Sequence, residues 1–269
     1  MNKIACAFGL TAALLAAAWS PAASAQAAPA AASTHTLTGN VNLVSQYRYR
    51  GIEQTAGRPA VQGGFDYAHA SGLYVGTWAS NVSWLSDFGA RGSSLEWDFY
   101  GGYKTAFGDL GVDVGVLRYY YPMRALSGAT AVGPNTTELY VAGTWKMLTL
   151  KYSHSVTDIF GFQDSEGSGY LDLTGNFEVG AGFTLVAHVG RQRIASSGVA
   201  SRAAAACDGN RASYTDYKLG VTREVVGLTV GLAYVGTNAR DAAGECYFQP
   251  VLGRELGKGT AVLTVGKTF

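Results

Sequence analysis

Charge is scarce in this 269-residue chain: 14% of residues are charged, and 20 basic against 19 acidic side chains leave a net charge of +1. A protein that neutralises a phosphate backbone needs a basic excess or patch, so nucleic-acid binding is excluded as the main function. Histidine is rarer still. His35, His69, His154 and His188 are scattered without metal-ligand spacing and no Cys/His cluster accompanies them, so neither a metal nor another cofactor is expected. Long apolar runs are missing after residue 25, which excludes helices that cross a bilayer with roughly 20 residues. It does not exclude strands, because alternating segments of about ten residues span a membrane without registering as apolar runs.

The first 25 residues form an export signal. Lys3 supplies the positive start, Ala5 to Trp19 the apolar stretch, and Ala23-Ser24-Ala25 a small-residue cleavage site before Gln26. The apolar stretch of about 15 residues is short for a membrane anchor. Residues 26–35, rich in alanine, are expected to be a flexible lead-in, and residues 36–269 the folded unit. Cleavage removes Cys6 and leaves Cys207 and Cys246, a pair that an oxidising compartment favours as a disulfide.

What the chain has in abundance is glycine, with 36 residues, and tyrosine, with 16. They sit in segments of period-two alternation bounded by Gly, Asn, Asp and Ser. Leu37 to Arg50 places Leu37, Val41, Leu43, Tyr47 and Tyr49 on one face, and Thr38, Asn40, Asn42, Gln46, Arg48 and Arg50 on the other. The pattern returns in 61–68, 73–82, 95–104, 110–121, 137–146, 148–156, 170–178, 183–192, 214–224, 228–237 and 260–269, about twelve segments in all. The links between them alternate strictly between long and short. In an up-and-down barrel this gathers the long loops at one end and the tight turns at the other.

The expected fold is therefore all-β, a transmembrane antiparallel up-and-down barrel in the bacterial outer membrane, reached by way of the signal. Tyr47, Tyr49, Trp97 and Tyr120 would form the aromatic girdle at the long-loop rim. Tyr67, Tyr103, Trp145, Phe177, Phe183 and Phe269 would form the other, in contact with outer-membrane lipid. Arg118, Arg223 and Lys267 share the apolar face only at strand ends, where they can snorkel. The C-terminal "TAVLTVGKTF" has the form of a signal for the outer-membrane assembly machinery, with Phe269 as its terminal aromatic.

The opposite face carries too many ionisable groups to be dry without pairing. At the long-loop end the strand directions bring Arg48 and Arg50 level with Glu96, Asp98, Glu138 and Asp172, with Tyr119 and Tyr121 nearby. These eight are the expected pore-lining residues of a charged eyelet that selects small polar solutes or ions, or of a salt-bridge set that stiffens or plugs the barrel. Cys207 and Cys246 fall in the two longest loops at that same end, where a bridge would tie down the mouth. No catalytic residues are expected: His154 and Ser155 face opposite sides of a strand, and His69 and Ser71 lie in a tight turn at the far end.

Four phrases resemble the TorF-type porins: "GNVNLVSQYRYRGIEQT" (Gly39 to Thr55), "PAVQGGFDYAHASGLYVGTWASNV" (Pro59 to Val82), "EWDFYGGYK" (Glu96 to Lys104) and "VGVLRYYYP" (Val114 to Pro122). The resemblance implies a porin-like outer-membrane barrel and supplies no substrate. The reading is a channel for passive diffusion of small hydrophilic solutes or ions. Its rivals are a non-conducting structural or adhesive barrel and an outer-membrane lipid-modifying enzyme. The oligomeric state is left open. A stable barrel predicts that unboiled protein migrates differently from boiled protein on a detergent gel; identical mobilities would count against it.

Overall fold

The alternating segments become strands because each buries one row of side chains and exposes the other, and neighbouring rows match in register. The computed structural model describes residues 34–87, 94–122, 133–195, 209–239, 246–249 and 253–269. In chain order the strands are β1 (His35–Val44), the short β2 (Arg48–Tyr49) and β3 (Ile52–Glu53), then β4 (Ala60–His69), β5 (Leu73–Asn81), β6 (Leu95–Phe107), β7 (Leu110–Tyr120) and β8 (Thr136–Trp145). They continue with β9 (Leu148–Ser155), β10 (Gly169–Gly180), β11 (Phe183–Arg193), β12 (Tyr214–Val225) and β13 (Leu228–Thr237). The short β14 (Phe248–Gln249) and β15 (Arg254–Glu255) follow, and β16 (Thr260–Thr268) is last. Single helical turns, α1 (Trp84–Asp87) and α2 (Gly209–Ala212), interrupt two of the long links.

Twelve of these strands close into an antiparallel barrel in the order β1, β4 to β13, β16 and back to β1. Closure sets Leu43 opposite both Val61 of β4 and Val265 of β16, and the terminal Phe269 exchanges two backbone hydrogen bonds with Gly39. Every expected segment lies on a barrel strand. One boundary is wrong. β1 ends at Val44 rather than Arg50, and the six residues that follow leave the wall.

The tight turns lie at one end. Ala181 and Gly182, and likewise Val226 and Gly227, both take positive φ, the backbone of two-residue hairpin turns whose twist suits the flanking strands. Val226 is a poor residue for that conformation, since a branched Cβ crowds its own carbonyl there.

Outside, Leu37, Leu43, Leu171, Leu219, Leu232 and Leu263 are all exposed and belong to a continuous apolar belt. Soluble monomers rarely show contiguous apolar patches beyond a few hundred Å². Among the described residues no helix is long and apolar enough to cross a membrane. The strands carry that role in this architecture. Trp97 and Tyr120 face outward at the long-loop rim, and Tyr67, Tyr103, Trp145, Phe183 and Phe269 at the other. Tyr152, Tyr217 and Tyr234 add to the first group, the last two stacked with ring centroids 6.4 Å apart.

Inside, tyrosine rings lie across glycines of neighbouring strands. A Cβ on Gly76 would meet the Tyr100 ring at 2.2 Å, and one on Gly115 would meet the Tyr140 hydroxyl at 2.5 Å. In register, Gly76 faces Tyr100 and Gly115 faces Tyr140. The glycines make room for rings that fill the barrel. The turn generates one prediction. Val226→Asn, which creates an Asn-Gly turn, should raise stability by about 0.5–1 kcal/mol in urea unfolding from micelles; an unchanged or lower midpoint would show that the turn carries no strain.

Candidate functional site

The chain that leaves the wall at Val44 forms a hairpin across the barrel mouth. At its start it stays tied to β16 through Ser45 N–H to the Leu263 carbonyl at 2.9 Å, Leu263 N–H to Ser45 Oγ at 3.0 Å and Gln46 Nε2 to Thr260 Oγ1 at 3.2 Å. β2 and β3 then pair Arg48 with Glu53 and Tyr49 with Ile52. Arg50 and Gly51 make the turn, both with positive φ. At the tip a Cβ on Gly51 would stand 2.4 Å from Thr237 Cγ2 and 2.8 Å from Asp216 Cβ. The hairpin thus reaches from β1 to the wall formed by β12 and β13, and only glycine fits where it touches.

One side of the hairpin is aromatic. Tyr47 packs edge-on to Trp78 with centroids 5.6 Å apart, and its hydroxyl donates to Glu96 Oε1 at 2.8 Å. Tyr49 shares a 2.6 Å hydroxyl contact with Tyr119 and packs on Phe160 at 5.2 Å. The other side is cationic. Arg50 donates to Glu138 Oε2 and to Gln192 Oε1, both at 2.7 Å, and lies 4.1 Å from the centre of the Tyr170 ring. Burial works to discharge the Arg50 guanidinium, but Glu138 and the neighbouring tyrosines outweigh it and hold the group above its ordinary value.

Arg48 is a backbone clamp. It donates to the carbonyls of Gly51 at 3.2 Å, Leu256 at 2.8 Å and Lys258 at 3.1 Å, and to Gln46 Oε1. It also lies 3.5 Å from Glu53, whose same oxygen meets Arg254 at 3.2 Å. Burial pushes the Glu53 carboxyl up from its ordinary value against both guanidiniums.

These contacts correct the expected placement of the "YRYR" run. Tyr47 and Tyr49 are 1% and 8% exposed and face the barrel interior, not the outer lipid girdle. Arg48 and Arg50 are buried too, rather than standing in the water of an open mouth. The alternation is genuine, but it belongs to a hairpin with protein on both faces.

The eight residues of the expected eyelet all lie on the inner side, and the structure brings most of them together without opening a passage between them. Arg50 meets Glu138 directly, and Tyr119 donates to the same carboxylate at 3.3 Å. Glu96 is held by hydroxyls instead of a cation, from Tyr47 and from Tyr121, each at 2.8 Å. Asp98 is 1% exposed, and its Oδ1 has no hydrogen-bond partner among the described residues. Asp172 lies deeper: it pairs in register with Lys151, which faces Ala142, whereas Glu138 faces Ser155 four positions above. There it meets His188 at 3.3 Å, and His188 also meets Asp216 at 2.8 Å.

Below the hairpin the interior is wetter. Lys104 and Asp113 are 3.7 Å apart with side chains 23% and 19% exposed, and Tyr74 donates to Asp113 at 2.6 Å. Tyr100 donates to Asp66 at 2.6 Å, and Lys151 sits 4.0 Å above the Tyr140 ring. The barrel is a cup with a charged, water-reachable base at the tight-turn end and a filled mouth.

Over the hairpin the loops build a small core of their own, in which Ile52, Ile159, Phe162, Ile194, Tyr214, Tyr247 and Leu256 are buried. The 156–168 link is tied by Ser165, which donates from its backbone to Asp158 Oδ1 at 2.7 Å and accepts from Ile159 N–H at 2.8 Å. Cys246 is buried in this core and disulfide-bonded; Cys207 lies outside the described residues. Sequence reasoning missed Glu53, Gln192, Trp84, Phe160 and Phe162 as parts of the mouth. One signal was present: Arg50-Gly51 between the alternating "YRY" and "IEQ" has the form of a two-residue hairpin.

At the far end His69 Nδ1 meets Ser71 Oγ at 2.8 Å and Ser71 N–H at 3.1 Å, contacts that staple a turn. His154 faces outward while Ser155 is buried. Among the described residues no group of three or more His, Cys, Asp or Glu side chains could hold a metal ion.

Residues 28–269 match the family described as "Bacterial protein of unknown function (Gcw_chp)". No curated protein matches the sequence. Among solved structures the chain is similar to the KdgM porin, at 7% identity over 86% of this chain and 98% of that one with a TM-score of 0.49. It is similar to the NanC porin at 11% identity over 87% and 98%, also with a TM-score of 0.49. The COG4313 outer membrane channel from Pseudomonas putida F1 shares 11% identity over 91% of this chain and 100% of that one, with a TM-score of 0.49.

The buried ion pair predicts a local failure. Glu138→Ala strands the Arg50 charge, a loss of about 3–5 kcal/mol where buried pairs are broken, so the hairpin should come away from the wall. Limited trypsin digestion of the folded barrel should then cut at Arg48 or Arg50, which are buried in the unaltered protein; equal resistance would show that the pair does not hold the hairpin.

Proposed function

The chain belongs to the Gcw_chp family, and from that footing we propose that it is a porin-like outer-membrane channel for passive diffusion of small hydrophilic solutes or ions, restricted at its mouth by its own first loop. The observation that carries this reading is the sorting of side chains across the wall. Apolar residues face outward between aromatic rims, while a mixed set of half-exposed charges, Asp66, Lys104, Asp113, Lys151 and Asp172, faces a lumen open to the tight-turn end. A barrel with no solute to pass has no need to keep such groups hydrated. The resemblance to TorF-type porins agrees with this reading.

In this reading the signal at residues 1–25 exports the chain and Phe269 addresses it to the assembly machinery. Arg50, Glu138, Glu96, Asp98, Tyr119 and Tyr121 form the constriction, with Arg48 clamping its base and Asp172 lining the lumen beneath. A Cys207–Cys246 disulfide would fasten the loops above. Rings of charge select ions by field and geometry. Here the hairpin decides whether the ring is reached at all.

A second reading, a closed structural barrel, is favoured by the completeness of the mouth, where Tyr119, Glu96, Glu138 and Asp98 are at most 1% exposed. Planar-bilayer recording separates the two. The mature protein should show small conductance steps, and replacing residues 47–58 by a short Gly-Ser link should enlarge them several-fold. Silence from both proteins under all ionic conditions would leave the structural reading.

A further inference from the structure

On the outer wall two cations stand where the alternation elsewhere places apolar side chains. β11 sends Phe183, Val189, Arg191 and Arg193 outward, and buries Val186, Gly190 and Gln192. From Phe183 in the tight-turn rim to Arg193 the strand runs about 33 Å, or about 25 Å along the barrel axis at a tilt near 40°. The apolar band of an outer-membrane barrel is itself about 25 Å tall. Arg193 therefore stands at the edge of the band on the long-loop side, and Arg191 just inside it.

Neither arginine forms an ion pair among the described residues, although Glu166 adjoins the Gly167 that Arg193 touches. Arg191 donates to Thr215 Oγ1 at 3.2 Å and Arg193 to the Gly167 carbonyl at 3.4 Å, which leaves most of the donors of each guanidinium unspent. At the tight-turn end, by contrast, Arg223 lies over the Phe183 ring at 4.8 Å and Lys146 over the Trp145 ring at 4.6 Å. Two more polar groups stand beside the arginines. Gly169 of β10 pairs in register with His154 of β9 and with Arg193, and a Cβ on Gly169 would be 2.6 Å from the Tyr152 hydroxyl. That hydroxyl thus lies between His154 and Arg193, and neither it nor the His154 ring has a hydrogen-bond partner among the described residues. Toward the middle of the band, Leu171, Leu173 and Val189 are exposed on the same face.

We infer that this patch of β9, β10 and β11 binds a lipid of the outer leaflet through a terminal phosphate. Arg191 and Arg193 take the phosphate oxygens, the Tyr152 hydroxyl is a further donor, and the acyl chains run along Leu171, Leu173 and Val189. Arginine suits the task because its fork of N–H groups meets two oxygens at once. The charges are complementary, since two cations without carboxylates match the near-dianion that a phosphate monoester becomes at neutral pH. An arginine facing hydrocarbon without an anion is costly, and a headgroup at that depth removes the cost. A free phosphate would leave the leucines beneath it uncovered, so the occupant is a lipid. The site goes beyond the channel reading and needs no open lumen.

The test is native mass spectrometry of the mature full chain released from non-ionic detergent micelles that carry either dimyristoyl phosphatidic acid, a phosphate monoester, or dimyristoyl phosphatidylcholine. One phosphatidic acid should be retained at a concentration about tenfold or more below that needed for phosphatidylcholine, as charge-assisted hydrogen bonds to phosphate imply. Replacing both arginines, Arg191→Gln with Arg193→Gln, should abolish that preference, and Arg193→Gln alone should weaken it several-fold. Arg223→Gln, at the other end of the barrel, should leave it intact, and millimolar inorganic phosphate should not displace the lipid. Equal retention of the two lipids, a preference unchanged in both the double and the single variant, an equal loss in Arg223→Gln, or displacement by inorganic phosphate would each overturn the inference. Because conductance is not the readout, failure here leaves the channel reading untouched.

Discussion

Backbone pairing without an edge is the constraint on which everything else in this protein depends. A strand set in lipid has no water to satisfy its N–H and C=O groups, so the sheet must close on itself. Closure fixes an inside and an outside, and with them the alternation of the sequence. Outside, alternation supplies leucine, valine and terminal aromatics. Inside, it delivers charges and tyrosines to a space too narrow for all of them, and glycine opposite tyrosine is how the rings are accommodated.

The mouth departs from this rule in an informative way. The wall between β1 and β16 ends at Val44 and Thr264, and the chain uses the next fifteen residues to fill the opening. Two buried arginines make that possible by different means. Arg48 satisfies carbonyls that a continuing strand would otherwise have paired, and Arg50 crosses the lumen to a carboxylate on β8. A buried pair of this kind contributes little net stability, but it is unforgiving of wrong geometry, and so it specifies where the hairpin sits.

Most of the barrel was legible in the sequence because period-two alternation and the sorting of long and short links are local signals. The boundary of β1 was not, since a hairpin inside the barrel alternates just as a strand in its wall does. Tyr47 and Tyr49 have the composition of a membrane girdle, and nothing in "YRYR" says whether the tyrosines meet lipid or Trp78 and Tyr119. Gly51 after Arg50 was the only local mark of the turn. The pairing of Arg50 with Glu138 was half legible, because strand direction placed both at one height, whereas the loop core from Ile52 to Leu256 joins residues about 200 apart and leaves no periodic trace.

The depth of the Arg50–Glu138 contact separates the two ends of the barrel in their response to salt. Counterions screen charges over about 10 Å at 0.1 M salt, but only those that solvent reaches. The half-exposed Lys104–Asp113 pair lies within their reach, and its field in the lumen fades as ionic strength rises. The pair under the hairpin does not. A bacterium moving between fresh and saline water would therefore keep its mouth hairpin in place while the charge pattern beneath it weakened, so that salinity would tune the interior and leave the entrance unchanged.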